Sequence, residues 1–226
     1  MVRCARGFGV ERDERGGDRP AGATELSADT HYSVHALLGS GGMAAVYEVT
    51  ELASGRRLAL KRLVAHPDAQ MQRRRIELFE REFQTLSQLV HPAIVSAYVY
   101  SVDDYGPYYT MELLSGGDLH AVSPLPWRRA CSVVREIASA LSLLHSRRFV
   151  HRDVSPRNVR LTLEGRPKLI DFGALVPMGA TKFVVGTAPC CAPENLRSRA
   201  LDGRTDLFAL GATLYYLLVS RHAYEV

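Results

Sequence analysis

The residues best equipped for chemistry are a few acids, one lysine and a glycine cluster. In His151-Arg152-Asp153, the Asp153 carboxylate is suited to accept a hydroxyl proton and to orient a nucleophile. Asn158 follows, and then Asp171 in Asp171-Phe172-Gly173. Both offer hard oxygen ligands of the kind Mg²⁺ takes. Upstream, Gly39-Ser40-Gly41-Gly42 either lets backbone N–H groups approach a phosphate or makes a plain turn. Of the 28 Lys and Arg residues, only Lys61, Lys168 and Lys182 are lysines. Lys61 ends a short apolar run, where a compact ammonium fits beside phosphate oxygens and a carboxylate better than a guanidinium fork does. Glu82 is either a solvated helix residue or the carboxylate that reaches Lys61.

These residues need elements to position them. Tyr32 to Leu38, Ala45 to Val49 and Arg57 to Leu63 read as strands, with the glycines between the first two. Residues 68 to 90 carry Ile76, Phe79, Phe83, Leu86 and Leu89 at helical spacing, and His91-Pro92 ends the helix. Two more strands, around Ala97 to Val102 and Tyr108 to Leu113, flank a turn at Asp103 to Pro107. Pro126 to Arg147 shows one apolar face, Glu164-Gly165 marks a hairpin, and Thr205 to Ser220 reads as a buried helix. A small sheet with one helix therefore precedes a larger helical half, an α+β, two-lobed arrangement.

Composition narrows the rest. Of 226 residues, 46% are hydrophobic and 23% charged, which excludes a wholly disordered, fibrous or membrane-embedded chain. The net charge of +4 reads as a solvated basic surface, because no Lys/Arg stripe with interleaved aromatics appears. Nucleic acid is therefore not an expected partner. Leu207 to Val219 is too short to span a bilayer, and the first 26 residues lack an apolar signal core. Cys4, Cys131, Cys190 and Cys191 form no C-x-x-C pair, which points to a reducing cytoplasm. Residues 1–30, rich in Arg, Gly, Asp and Glu, read as a disordered leader.

The ordered set of glycine loop, strand lysine, helix glutamate, H-R-D…N, D-F-G and Ala192-Pro193-Glu194 resembles the eukaryotic-type protein kinase family, in its bacterial serine/threonine branch. The resemblance implies a domain over residues 31–226, with an N-lobe at 31–113 and a C-lobe at 114–226. It implies transfer of the ATP γ-phosphoryl group to Ser/Thr hydroxyls of a protein substrate, with ATP and Mg²⁺ bound. By the same resemblance Gly39, Ser40, Gly41 and Gly42 cover the phosphates. Lys61 holds them and pairs with Glu82, Val46 and Ala59 pack on adenine, and Met111 is the gatekeeper. Glu112 and Leu114 belong to the hinge, Asp118 reaches the ribose, and Arg160 lies under the base. Asp153 is the catalytic base, Asn158 and Asp171 hold the metal, and Thr187 supports Asp153. Leu86, His151 and Phe172 form a column between lobes, and Asp206 anchors the catalytic loop. Thr181 is a candidate phosphosite for autophosphorylation, with Arg152 as a partner for its phosphate.

Four departures from the family pattern leave two other readings open, a pseudokinase or nucleotide-binding interaction module and an inactive kinase fragment. Ala44 replaces the third glycine. Ser155 replaces a lysine that neutralises γ-phosphate charge, a loss of about 2–4 kcal/mol of transition-state stabilisation unless a cation such as Arg157 substitutes. Arg160 replaces an apolar residue. The family pattern continues for three more helices after the buried one, so the domain is expected to be truncated at Val226 and Glu194 to lack its arginine partner.

Overall fold

The computed structural model describes residues 31–180, 183–197 and 199–224. The expected leader lies outside the described residues, as does Thr181.

The first lobe is a five-stranded antiparallel sheet in the order β1-β2-β3-β5-β4. Its strands are β1 (Tyr32–Ser40), β2 (Ala44–Glu51), β3 (Arg57–Leu63), β4 (Ala97–Asp103) and β5 (Gly106–Glu112). The glycines do not interrupt β1: Gly39 and Ser40 still pair with Val46 and Ala45, and only residues 41–43 form the tip. The central strand β3 buries Leu58, Ala59, Leu60 and Leu63, so its apolar run is nearly continuous rather than alternating. Lys61 lies opposite Val46 on one side and Tyr109 on the other. Directly opposed residues share a sheet face, so all three side chains project the same way.

Helix α1 (Ala69–Ser87) covers that face. Asp68 caps it, its side chain accepting the Met71 N–H at 2.7 Å. The 3.6-residue period puts Phe79, Glu82 and Leu86 on one side, and all three are buried. Burying Phe79 and Leu86 contributes roughly 1.5–3 kcal/mol each, which holds the helix down and carries Glu82 into the interior.

The second lobe contains α2 (Leu119–Val122), α3 (Trp127–Ser146), β6 (Phe149–Val150), β7 (Val159–Leu161), β8 (Pro167–Leu169), β9 (Val176–Pro177) and β10 (Gly179–Ala180). A 3₁₀ turn at Ala188–Cys190, α4 (Pro193–Leu196), β11 (Ala200–Leu201) and α5 (Gly203–Val219) complete it. α3 and α5 pack together, with Ile137, Leu141, Leu144 and Leu217 in the core. The same apolar cluster includes Leu63, Phe79 and Leu86, so one core runs through both lobes. The hinge end is fastened to β7 by bonds from Gly116 N to Leu161 O (2.9 Å) and from Leu161 N to Gly117 O (2.8 Å). Gly116 is required there, because an added Cβ would collide with Thr162 O and Leu161. Among the described residues no helix is long and apolar enough to cross a membrane.

Glu194 Oε1 accepts the Thr205 hydroxyl of α5 at 2.8 Å, so the α4 region is tied to the buried helix.

Candidate active site

Between the lobes lies a cavity of about 650 Å³. Its upper wall comes from β1 to β3, its back from α1 and β5, and its floor from the loop after β6, from β7 and from the segment after β8.

At the back, Lys61 Nζ donates to Glu82 Oε1 at 2.6 Å and to Asp171 Oδ1 at 3.2 Å. Tyr109 donates its hydroxyl to the same Glu82 Oε1 at 3.0 Å. Burial alone would depress the Lys61 pKa, but Tyr109, Glu82 and Asp171 hold the ammonium well above its ordinary value. Burial and the nearby Glu82 push the Tyr109 phenol well up, so it remains a donor. Burial pushes Asp171 up, but Lys61 outweighs it and holds the carboxyl below the usual range. At neutral pH Lys61 is therefore an ammonium, Asp171 a carboxylate and Tyr109 a neutral phenol.

At the front, Asp153 is held from two sides. Its Oδ1 accepts both the backbone N–H and the hydroxyl of Thr187, each at 2.7 Å. Its Oδ2 accepts the Asn158 amide at 2.8 Å. The Asn158 nitrogen also donates to the Asp153 carbonyl at 2.9 Å, which leaves Oδ1 of Asn158 as the atom a cation would use. Asp171 lines the same cavity. Two side-chain oxygens beside a space for phosphates fit Mg²⁺, which keeps water and substrate oxygens in its shell instead of a closed protein cage. Among the described residues no group of three His, Cys, Asp or Glu gathers.

The loop carrying Asp153 is itself strained. Arg152 sits at φ 69° and Asp171 at φ 60°, left-handed values that cost a non-glycine residue about 1–3 kcal/mol each. Asp206, fully buried on α5, offsets this at the loop carrying Arg152 and Asp153. Its Oδ1 accepts Arg152 N at 2.9 Å, and its Oδ2 accepts His151 N at 2.9 Å and His145 Nε2 at 2.8 Å. The Arg152 guanidinium is buried and donates Nε to Ala174 O (2.8 Å) and Nη1 to Phe183 O (3.2 Å), binding the segment that follows Asp171. Phe172 is buried edge-on to His151, with ring centroids 4.9 Å apart. Gly186, at φ 125°, admits no Cβ, because one would lie 2.5 Å from Arg152 O.

Most sequence-expected residues meet at this cavity: Gly39, Ser40, Gly41, Val46, Ala59, Lys61, Glu82, Met111, Glu112, Leu114, Asp153, Asn158, Arg160 and Asp171 all line it. Thr187 touches it through Asp153. Gly42 and Asp118 are not on its wall. The Gly42 carbonyl accepts Arg75 Nη2 at 3.0 Å, and Asp118 caps α2 by accepting Ala121 N at 2.8 Å. The Gly41 N–H is spent on Ala44 O at 2.9 Å. Ser155 is fully buried and brings no charge to the cavity, where the cations are Lys61, Arg157 and Arg160.

Sequence reasoning missed Tyr109, whose only signal is its register opposite Lys61. It also missed the Lys168–Glu112 pair (2.7 Å), which ties β8 to the hinge, and the apolar wall residues Leu38, Met43, Val95 and Ile170.

The protein kinase domain model matches residues 32–226. A probable serine/threonine-protein kinase of Streptomyces coelicolor is 37% identical over 207 residues, which is 84% of this chain and 30% of the relative. The DNA damage-responsive serine/threonine-protein kinase RqkA of Deinococcus radiodurans is 36% identical over 200 residues, 81% of this chain and 29% of the relative. The serine/threonine-protein kinase PrkC of Bacillus subtilis is 32% identical over 203 residues, 86% and 31%. The chain thus spans about a third of the length of these curated relatives. The order of motifs, the two-lobed α+β fold and the match along the whole described region agree, and the chain belongs to the protein kinase family.

Proposed function

We propose that this domain is a protein serine/threonine kinase, acting in the cytoplasm on protein hydroxyls with ATP and Mg²⁺. The observation that carries the reading is one cavity with the Lys61–Glu82–Asp171 cluster at its back and Asp153, oriented by Thr187 and Asn158, at its front. Magnesium held by Asn158 and Asp171 would neutralise phosphate charge.

Lys61 binds phosphate oxygens, and Glu82 with Tyr109 keeps it pointed there. Gly39, Ser40 and Gly41 form the roof over the phosphates, and Gly42 continues the loop off the wall. Val46, Ala59, Met111 and Leu114 shape an apolar slot for the base. The backbone of Glu112 and Leu114 meets its edge and Arg160 lies beneath it, whereas Asp118, off the wall and capping α2, is given no ribose contact. The N-lobe is residues 31–113 and the C-lobe 114–226.

Oδ1 of Asp153 already accepts two bonds, so Oδ2, with one, is where the substrate hydroxyl docks. The hydroxyl oxygen bonds to the γ-phosphorus as the bond to the β–γ bridging oxygen breaks. The hydroxyl proton passes to Asp153 Oδ2, and ADP leaves with the bond's electrons. Catalysis is then mainly positioning and charge stabilisation.

A second reading, a nucleotide-binding module without transfer, is favoured by one observation: Ser155 supplies no cation. Labelled-ATP phosphotransfer separates the two, with Asp171→Ala as control. Incorporation by the wild type and none by the variant supports the kinase. Equal incorporation by both, or none by either, refutes it.

A further inference from the structure

Arg157 is exposed on the helical-lobe lip of the cavity that contains Asp153. Among the described residues no carboxylate lies within ion-pair distance of it. Its Nη2 instead lies 3.5 Å from Nε2 of His120 on α2. The His120 ring stacks on buried Tyr216 of α5 (centroids 5.2 Å apart, planes at 18°), and the other neighbour of that ring is His222 (4.8 Å, 42°). A bond from His120 N to Pro156 O (3.1 Å) ties α2 to the loop carrying Arg157. Arg157, on the lip of the cavity that Asp153 also lines, thus meets His120 from a separate segment, and His222 packs on the same tyrosine as His120. Arg157 supplies the charge of this group, since burial lowers the His222 pKa and His120 and Arg157 lower it further. The phosphate-side lysine, Lys61, is by contrast already flanked by two carboxylates.

We infer that Arg157, held beside His120, reads an anionic side chain of the substrate protein close to the accepting Ser or Thr. This rests on the kinase reading above. Arg157 is four residues from Asp153, and four residues span at most about 14 Å, so in an extended peptide the anion lies within about four residues of the acceptor. A carboxylate and a phosphate offer the guanidinium the same paired oxygens. The substrate is thus either acidic or already phosphorylated nearby.

The test uses fluorescent Ser peptides bearing Glu, phosphoserine, Ala or Lys at each of the four positions on either side of the acceptor. Binding is read by anisotropy with Mg²⁺ and a non-hydrolysable ATP analogue, and phosphotransfer is read in parallel with ATP. Wild type should bind the best Glu or phosphoserine peptide about tenfold tighter than the Ala peptide, the gain of one charge-assisted contact. The stronger of the two anions identifies which source the site takes. Arg157→Ala should erase the preference, and Arg157→Glu should turn it towards Lys. Equal binding of anionic and neutral peptides by wild type overturns the inference. So does an Arg157→Glu protein that keeps the anionic preference and changes only the KM for ATP, which would assign Arg157 to the nucleotide. An anionic preference in binding with no transfer to any peptide would sustain this inference while refuting kinase activity.

Discussion

Asp206→Asn exchanges one oxygen for an amide, and its cost follows from the bonds that the carboxylate makes. Three donors converge on Asp206: Arg152 N on Oδ1, and His151 N with His145 Nε2 on Oδ2. An amide has a single oxygen, so at least one buried N–H then faces the –NH₂ group. The least disruptive orientation keeps the two bonds on the Oδ2 side and orphans Arg152 N. An orphaned buried N–H costs about 1–3 kcal/mol, and the two remaining bonds lose their charge assistance. The sum is about 2–5 kcal/mol. At roughly 2–4 °C per kcal/mol for a chain of this size, melting should fall by about 5–15 °C. Arg152 is also the residue at φ 69°, and the Asp206 bond is what holds it there. Released, it carries Asp153 with it, and a displacement near 1 Å costs about a hundredfold in rate. Thermal melting by circular dichroism and phosphotransfer at a temperature where both proteins are folded measure the two effects separately. A variant that melts within about 1 °C of wild type and transfers phosphate equally fast would refute the reasoning.

Other outcomes follow from single contacts. Thr187→Ala removes one of two bonds to Asp153 Oδ1, worth about 1.5–3 kcal/mol to a charged acceptor, so kcat should fall about 10- to 100-fold while Thr187→Ser retains most of it. Arg160→Leu removes a cation from the floor of the slot, and the KM for ATP should rise about fivefold, the scale of one cation–π contact, with kcat little changed. Burial pushes the Asp103 pKa up, but the Arg62 hydrogen bonds outweigh it and hold it down. Its stabilisation is therefore complete above the unfolded value of about 3.9 and is lost as pH falls through the lower folded value. Arg62→Leu should cost about 1–3 kcal/mol at pH 7, less than for a fully buried pair because the two side chains are part-exposed, and flatten the acid limb of a urea-denaturation series below about pH 4.

The chemistry was legible in sequence because it is written in residue types at fixed order. Lys61, Asp153, Asn158 and Asp171 have few substitutes, and Glu82 followed from helical spacing beside Phe79 and Leu86. The strands and long helices were legible for the same reason, as periodic apolar patterns. What stayed hidden depends on register and tertiary distance. Tyr109 looks like any buried tyrosine until β3 and β5 pair and set it against Lys61. Asp118 reads as a ligand for a ribose, yet its carboxylate is engaged in capping α2, a local bond available to any Asp before a helix. The bond from Thr205 to Glu194 is likewise hidden, because nothing in a linear reading places the two side by side. The tip of the glycine loop shows the same limit: which N–H groups remain free depends on a turn closed by Gly41 and Ala44.

Asp153 is the proposed acceptor of the substrate proton, and Asp153→Asn tests that role most directly. Transfer of label from γ-labelled ATP to protein is measured with phosphoamino-acid analysis, alongside equilibrium binding of the nucleotide with Mg²⁺. The account predicts phosphoserine and phosphothreonine from the wild type. It predicts nucleotide binding within about threefold of wild type for Asp153→Asn, since Lys61, Asn158 and Asp171 are untouched, with transfer reduced by about a hundredfold or more. Transfer by Asp153→Asn at the wild-type rate, or label found only on tyrosine, would contradict it.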